Sequence, residues 1–201
     1  MPRTNCHYIL DAQAVVRSGD SAEDLHSART APPVLREAAE IVNSMVKERQ
    51  GRVADQLQAG DLDGWASSYA LANRYAGRDE SVAPHTDKLT ALGRRPVIAS
   101  LSLGACRTFR VTRAPEEFLH EVPKAARVTP HPTSGTTRIN LTFRKLKPHV
   151  AAAMPRCNCG RLAALKACVQ RLRHGGTRHV YYLACDPSKG DTGCAFRRWD
   201  V

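Results

Sequence analysis

The sequence predicts a mainly β protein: a sandwich or barrel with one helix at its side, followed by a small cysteine-rich module. Three observations predict it. Short apolar runs recur between turn residues along positions 69–144. One of them, Arg138-Ile139-Asn140-Leu141-Thr142-Phe143-Arg144, alternates polar and apolar residues over its whole length. Five of the seven cysteines fall within residues 157–194, which marks a second unit.

The elements follow in order. Tyr8-Ile9-Leu10 is a first strand, and residues 18–33, rich in Ser, Asp, Ala and Pro, read as loop. Leu35, Ala38, Ile41, Val42, Met45 and Val46 recur at helical spacing, with Gly51 as a stop. Residues 52–66 are polar and declare no element. Tyr69–Tyr75 reads as a strand with Asn73 and Tyr75 on one face, because side chains alternate along a strand. A turn at residues 76–80 leads through Ser81-Val82-Ala83-Pro84 into His85-Thr86-Asp87. Pro96–Gly104 reads as a buried strand ending in glycine, and Thr108–Thr112 as a short one. His120-Glu121-Val122-Pro123-Lys124 follows a polar segment. A Pro, Thr and Gly-rich loop over 129–137 precedes the alternating strand. Lys145, Lys147, Pro148, Pro155 and a short alanine run suggest a linker. The expected division is a first domain over 1–147, a linker over 148–156 and a module over 157–201.

A chain of 201 residues, 42% hydrophobic, has room for one medium domain and a small module. No apolar run approaches the roughly 18 residues of a membrane-spanning helix. The polar start, Met1-Pro2-Arg3-Thr4-Asn5-Cys6, does not resemble a secretory signal. The expectation is an intracellular monomer with reduced thiols, nuclear in a eukaryote, with no membrane partner. Residues 1–87 hold 9 Lys and Arg against 13 Asp and Glu, net −4, and residues 88–201 hold 21 against 6, net +15, giving the +11 of the chain. A basic half of this kind is the electrostatic footprint of a polyanion, nucleic acid above all; a basic surface without a partner is the plainer reading.

The alternating strand puts Arg138, Asn140, Thr142 and Arg144 on one face and Ile139, Leu141 and Phe143 on the other. Alone, it reads as an edge strand with a solvated polar face. Two guanidiniums on one face also suit capture of carboxylate or phosphate. His85-x-Asp87 sets an imidazole and a carboxylate on one face of a strand end. A third ligand would complete the two-histidine, one-carboxylate triad of a non-haem Fe(II) oxygenase, which leaves half an octahedron open to co-substrate and dioxygen. By itself His-x-Asp is a short and common pattern.

The ordered set is more specific. Asn73-x-Tyr75, His85-x-Asp87, Pro96–Gly104, His120-x-Val122-Pro123-Lys124 and Arg138-x-Asn140-x-Thr142-x-Arg144 resemble the AlkB family of iron- and 2-oxoglutarate-dependent nucleic-acid dealkylases. The likeness covers roughly residues 67–145; Pro2-Arg3 and the helix at 34–49 fit more loosely. It implies a double-stranded β-helix, or jelly roll, with a flanking helix. It implies iron on His85, Asp87 and His120, and 2-oxoglutarate on Asn73, Tyr75, Arg138, Asn140 and Arg144. His131, in the Pro/Thr/Ser/Gly loop, is the rival third ligand. Arg138 and Arg144 stand six residues apart, about 20 Å along a flat strand, so unequal roles are expected for them, one at the distal carboxylate and one nearer the iron. Phosphate binding by the two arginines is the alternative. The implied reaction hydroxylates a methyl group on a base nitrogen, with loss of formaldehyde, coupled to oxidative decarboxylation of 2-oxoglutarate. The partner is then DNA or RNA, single-stranded or with a flipped base.

Cys157-x-Cys159-Gly160, Cys185 and Cys194-x-Phe196-x-x-Trp199 supply four thiolates for a closed tetrahedral Zn(II) site. The pattern resembles the GRF-type zinc finger, which implies binding of single-stranded nucleic acid. Arg161, Arg171, Arg173, Arg178, Arg197 and Arg198 stand among Tyr181, Tyr182, Phe196 and Trp199, which can stack bases. Disulfides are the other reading of these cysteines. Cys168, near Leu165, Val169 and Leu172, is a spare thiol with an expected buried place.

Two departures from the AlkB pattern carry expectations. No upstream segment matches the lid over the flipped base. Only Arg113-Ala114-Pro115 separate the Phe109 strand from Glu116-Glu117-Phe118, where the family has a further strand and turn. An incomplete sheet and a displaced His120 are expected from this, and an inert nucleic-acid-binding protein is the alternative to an enzyme.

Overall fold

A computed structural model describes residues 3–12, 27–53, 64–113, 118–187 and 191–199. The core of the fold is an antiparallel sheet in which β8 (Thr137–Arg144) lies between β3 (Tyr69–Ala76) and β5 (Ile98–Gly104). Beyond β3 come β1 (Thr4–Ile9) and the two-residue β2 (Arg29–Thr30), which pairs parallel to β1. The order is β2-β1-β3-β8-β5. β8 is therefore an interior strand, and the strand expected to be buried, β5, is the edge, with Leu103 exposed. A second sheet holds β4 (Val82–His85), β7 (Phe118–Val122) and β6 (Arg110–Arg113) in the order β4-β7-β6. Among the described residues the structure is mainly β, as a jelly-roll oxygenase requires.

Helix α1 (Pro33–Val53) covers one face of the large sheet. Leu35, Ala39 and Val42 are buried with Ala31, Trp65, Ala70 and Phe143, and Ala38, Val46, Ala99, Leu101 and Leu141 pack around them. Phe143 is fully buried. The helix passes through the expected stop at Gly51. Ile41 and Met45, expected on the apolar stripe, are exposed, because the buried line runs 35–39–42 and they fall off its flank. Ile139 lies outside the buried cluster under the helix and stays 38% exposed on the nominally apolar face.

The opposite face of β8 is more deeply buried. Arg138 is 4% exposed and Asn140 8%. Cross-strand register sets rows across the sheet: Tyr75–Arg138–Gly104, Asn73–Asn140–Ser102, Leu71–Thr142–Ser100 and Tyr69–Arg144–Ile98. Side chains in register share a face, so this polar face points as one surface away from α1.

The cysteine-rich module is a third sheet, β11-β10-β9, with β9 (Ala163–Arg171), β10 (Thr177–Cys185) and β11 (Arg197–Trp199). A turn with Gly175 and Gly176 both at φ 84° joins β9 to β10, a conformation glycine adopts without strain. The stretch expected as linker holds a short helix, α2 (Pro148–Ala152), with Ala151 buried. Cys168 is partly buried on β9; Leu165 is buried on the opposite face of the strand and Leu172 is exposed. The start Met1-Pro2, parts of the expected 18–33 loop and of the 52–66 stretch, and residues 114–117 lie outside the described residues. Among the described residues no helix is long and apolar enough to cross a membrane.

Candidate active site

The two sheets meet at a cluster of three side chains that could hold a metal ion. β4 and β7 are paired so that His85 stands directly across from His120. Their rings lie 4.3 Å apart. Asp87 follows two residues after His85, and the ligand atoms of His85, Asp87 and His120 all lie within 4.8 Å of one another. The displacement expected of His120 is not found: the β6–β7 pairing continues on both sides of residues 114–117 and carries His120 to its place. His131 does not join the cluster. It is exposed in its own loop, where its Nδ1 accepts from the Thr133 backbone N–H at 3.2 Å.

Each ligand is held by a neighbour. His85 Nδ1 donates to the carbonyl of Ala83 at 2.8 Å, which leaves Nε2 as the ring nitrogen available to a metal. Phe109 stacks on His120 at 5.6 Å. Burial pushes the His120 pKa down, and the nearby His85 adds to this while Asp87 opposes it. A neutral imidazole is the form that ligates a metal. Asp87 Oδ1 accepts from Arg144 Nη2 at 2.9 Å, and both side chains are largely buried.

That bond joins the ligand cluster to the polar face of β8. Arg138 Nη2 donates to Ser102 Oγ at 2.7 Å and to Asn140 Oδ1 at 2.9 Å. The same Asn140 oxygen accepts from Ser100 Oγ at 2.9 Å and Ser102 Oγ at 3.1 Å, and its Nδ2 donates to Thr142 Oγ1 at 3.0 Å. Asn73 Oδ1 accepts from Arg3 Nε at 2.5 Å. Tyr75 is buried under Arg138, whose Cζ lies 5.3 Å from the ring centroid. Burial raises the Tyr75 pKa and lowers that of Arg138. The two arginines occupy different ends, as the strand length demands: Arg144 at Asp87, Arg138 beside Tyr75. Arg138 Nη1 and Arg144 Nε are buried with no partner.

Sequence reasoning missed three side chains. Ser100 and Ser102 alternate on β5 in register with Thr142 and Asn140, and that alternation was a readable signal. Arg107 left none. Its buried guanidinium donates from Nη1 to the carbonyl of Gly77 at 2.6 Å, and from Nη2 to Glu80 at 2.9 Å, Pro123 at 2.8 Å and Arg78 at 3.4 Å. It ties the β3–β4 turn to the end of β7, and so helps fix His85 relative to His120.

A family model described as the 2OG-Fe(II) oxygenase superfamily matches residues 3–117. The chain belongs to the 2OG-Fe(II) oxygenase superfamily. This places it in a class of dioxygenases that use Fe(II) and 2-oxoglutarate. Two curated proteins are similar to it. Alpha-ketoglutarate-dependent dioxygenase alkB homolog 3 of Homo sapiens is 31% identical over 39% of this chain and 36% of its own length. The protein of the same name from Bos taurus is 30% identical over 45% of this chain and 41% of its own length. The chain thus spans well under half of the curated relatives it matches.

The cysteine module brings a second cluster together. The sulfurs of Cys157, Cys159, Cys185 and Cys194 all lie within 4.8 Å of one another. Cys157 and Cys159 are 3.2 Å apart, and Cys159 and Cys185 3.7 Å. All four are free thiols rather than disulfides. The edge of a tetrahedron with zinc–sulfur bonds of about 2.3 Å is about 3.8 Å, so the spacing suits one zinc ion. Burial pushes the Cys157 thiol up to about 11, while a backbone hydrogen bond at Phe196 pulls Cys194 down to about 6. Tyr182, which is buried, and Trp199, which is 46% exposed, lie 4.6 Å apart, with Arg197 Cζ 5.5 Å from the Tyr182 centroid.

Proposed function

We propose that the chain is an iron- and 2-oxoglutarate-dependent dealkylase of methylated bases in DNA or RNA, with a GRF-type zinc finger that holds single-stranded nucleic acid beside the site. The observation that carries this reading is the Arg144–Asp87 bond, which joins the three candidate iron ligands to the buried polar face of β8. His85, Asp87 and His120 would hold the iron. Arg138 would direct Nη1 to the distal carboxylate of 2-oxoglutarate, with Tyr75 and Asn73 lining the same end. Asn140 keeps Arg138 aimed by accepting from Nη2. Arg144 would stay near the metal, orienting Asp87. When bound, iron with 2-oxoglutarate and dioxygen supplies the oxidant that hydroxylates the methyl carbon; 2-oxoglutarate leaves as succinate and carbon dioxide, and the hydroxymethyl group leaves the base nitrogen as formaldehyde. Reaching that carbon requires a base out of its stack. The likeness to the two alkB homolog 3 proteins supports the same choice within the superfamily.

Cys157, Cys159, Cys185 and Cys194 would hold zinc, and the exposed Trp199, backed by Tyr182 and beside Arg197, would offer a stacking and charge platform of the kind single strands use. The direct test incubates the full chain with Fe(II), 2-oxoglutarate and a single-stranded oligonucleotide carrying N1-methyladenine. Formaldehyde and succinate are expected in equal amounts. Turnover no greater than that of an Asp87→Ala control sinks the reading.

One observation favours a second reading, an inert binding protein. Phe109, Val111 and Phe118 are more than half exposed on the second sheet, in the same row of faces as His120, so the site has an open wall. That protein would bind single strands in a salt-sensitive way. Its binding would survive His85→Ala and be lost on chelation of zinc.

A further inference from the structure

We propose that the cysteine module also positions Asp87, by holding the loop that follows it. Residues 88–97 join Asp87 to β5, and their anchors lie largely on the module and the segment leading into it. Leu89 is buried in one cluster with Ala163, Leu165 and Leu183, against Val150, Met154, Tyr181 and Phe196. The backbone N–H of Leu165 donates to Thr90 Oγ1 at 3.2 Å. The backbone N–H of Arg95 donates to Tyr181 Oη at 3.2 Å, and the Arg94 guanidinium lies 5.5 Å from the Tyr181 ring centroid. The Lys147 N–H donates to the Ala91 carbonyl at 2.8 Å. Inside the loop, the N–H groups of Leu92 and Gly93 both turn back to the Leu89 carbonyl. A buried leucine two residues from a metal ligand is thereby set into the β9–β10 face.

The path from the thiols to that face is short. Leu183 and Cys185 are two apart on β10 and share its inner side, and Ala163 stands across from Cys185. Order at the four sulfurs therefore fixes the surface on which Leu89 sits. A unit this small has little core of its own, so a metal would supply much of its order. Leu89 and Thr90 are positioning residues: they act on the reaction through the geometry of Asp87 and touch no reacting atom. The Lys88–Asp186 pair at 3.7 Å adds little, because Lys88 is solvated.

The zinc-dependent part of this proposal rests on the zinc reading above; the interface part does not. The test titrates Mn(II), which takes the same imidazole and carboxylate donors as iron, into the full-length chain with amide hydrogen exchange followed over residues 85–95. Leu89→Ala is expected to weaken Mn(II) binding about tenfold, as loss of a ligand's outer support does, and to speed exchange in the loop. Thr90→Val, a smaller change that guards against misfolding of the first variant, shifts both in the same direction. Chelating the zinc of the wild-type chain has the effect of Leu89→Ala, and the two together add little. Mn(II) affinity and exchange unchanged in both zinc-loaded variants overturn the proposal. If the chain holds no chelatable zinc, the zinc reading falls, and the two variants decide the positioning role alone. No readout uses turnover, so an absence of dealkylation leaves the result readable.

Discussion

Asp87→Ala should destabilise the metal-free protein, which is the reverse of what removing a carboxylate from an active site often does. In the folded chain Asp87 Oδ1 lies 2.9 Å from Arg144 Nη2, with side-chain exposures of 13% and 15%. Arg144 Nε is already buried without a partner. Truncating Asp87 leaves a guanidinium with its strongest contact gone and little water to replace it. Breaking a fully buried pair costs about 3–5 kcal/mol, and the residual exposure here brings the expectation to about 2–3 kcal/mol. At about 2–4 °C per kcal/mol for a chain of this size, Tm falls by about 4–12 °C. Calorimetry on the metal-free chain reads this directly. Asp87→Ala combined with Arg144→Leu should recover most of the loss, since the orphaned charge goes with its partner. Added Mn(II) should raise Tm for wild type and not for Asp87→Ala, because only wild type binds it. An Asp87→Ala chain as stable as wild type without metal would show that Arg144 is not committed to Asp87, and the link between the metal cluster and β8 would fail.

Two further predictions address β8 and its neighbour. Arg138→Lys should weaken 2-oxoglutarate binding to the Mn(II)-loaded chain by about 10–150-fold, the worth of one charge-assisted hydrogen bond at about 1.5–3 kcal/mol; calorimetric titration checks it, and an unchanged affinity would point the co-substrate elsewhere. Gly104→Ala places a Cβ 2.4 Å from the Thr137 carbonyl oxygen and 2.6 Å from Ser134 Oγ at φ 83°, so strain and overpacking together should cost about 2–5 kcal/mol in chemical denaturation.

The arrangement at β8 was legible in the residues because alternation fixes faces: once the strand is granted, Arg138, Asn140 and Arg144 must share one. What alternation cannot fix is which face goes inward. Ile139-Leu141-Phe143 reads as the core side, and Phe143 is buried there, yet Arg138 is buried more deeply than Ile139. The reason lies far away in sequence: Ile139 falls outside the cluster that α1 buries, while Arg138 packs on Tyr75 and bonds Ser102 and Asn140. Ile41 and Met45 fail for the same reason, since helical spacing gives a stripe wider than the one its neighbour covers. His85 and His120 are 35 positions apart, and their pairing depends on β4–β7 register, which only the AlkB-like pattern supplied. The short link after Arg113 suggested a displaced His120 because it counted missing residues; β6 and β7 pair as a hairpin without them. Arg107 was invisible because its partners are carbonyls, which every residue has.

The unpartnered donors give the site its chemical sense. Among the described residues three buried side-chain nitrogens lack a partner: Arg107 Nε, Arg138 Nη1 and Arg144 Nε. All belong to arginines, and two stand on the polar face of one strand. A buried donor without an acceptor costs about 1–3 kcal/mol, more when charged, and folded proteins keep few of them. Around Arg138 the cost is not general neglect of polar groups, because Asn140, Ser100, Ser102 and Thr142 satisfy one another and each fixes the next. The network spends its acceptors on Arg138 Nη2 and withholds them from Nη1. A strand that merely needed a buried polar row would have paired both. One left open, beside a tyrosine ring and on the same face as the arginine that bonds Asp87, is a donor with room for an oxygen of an anion.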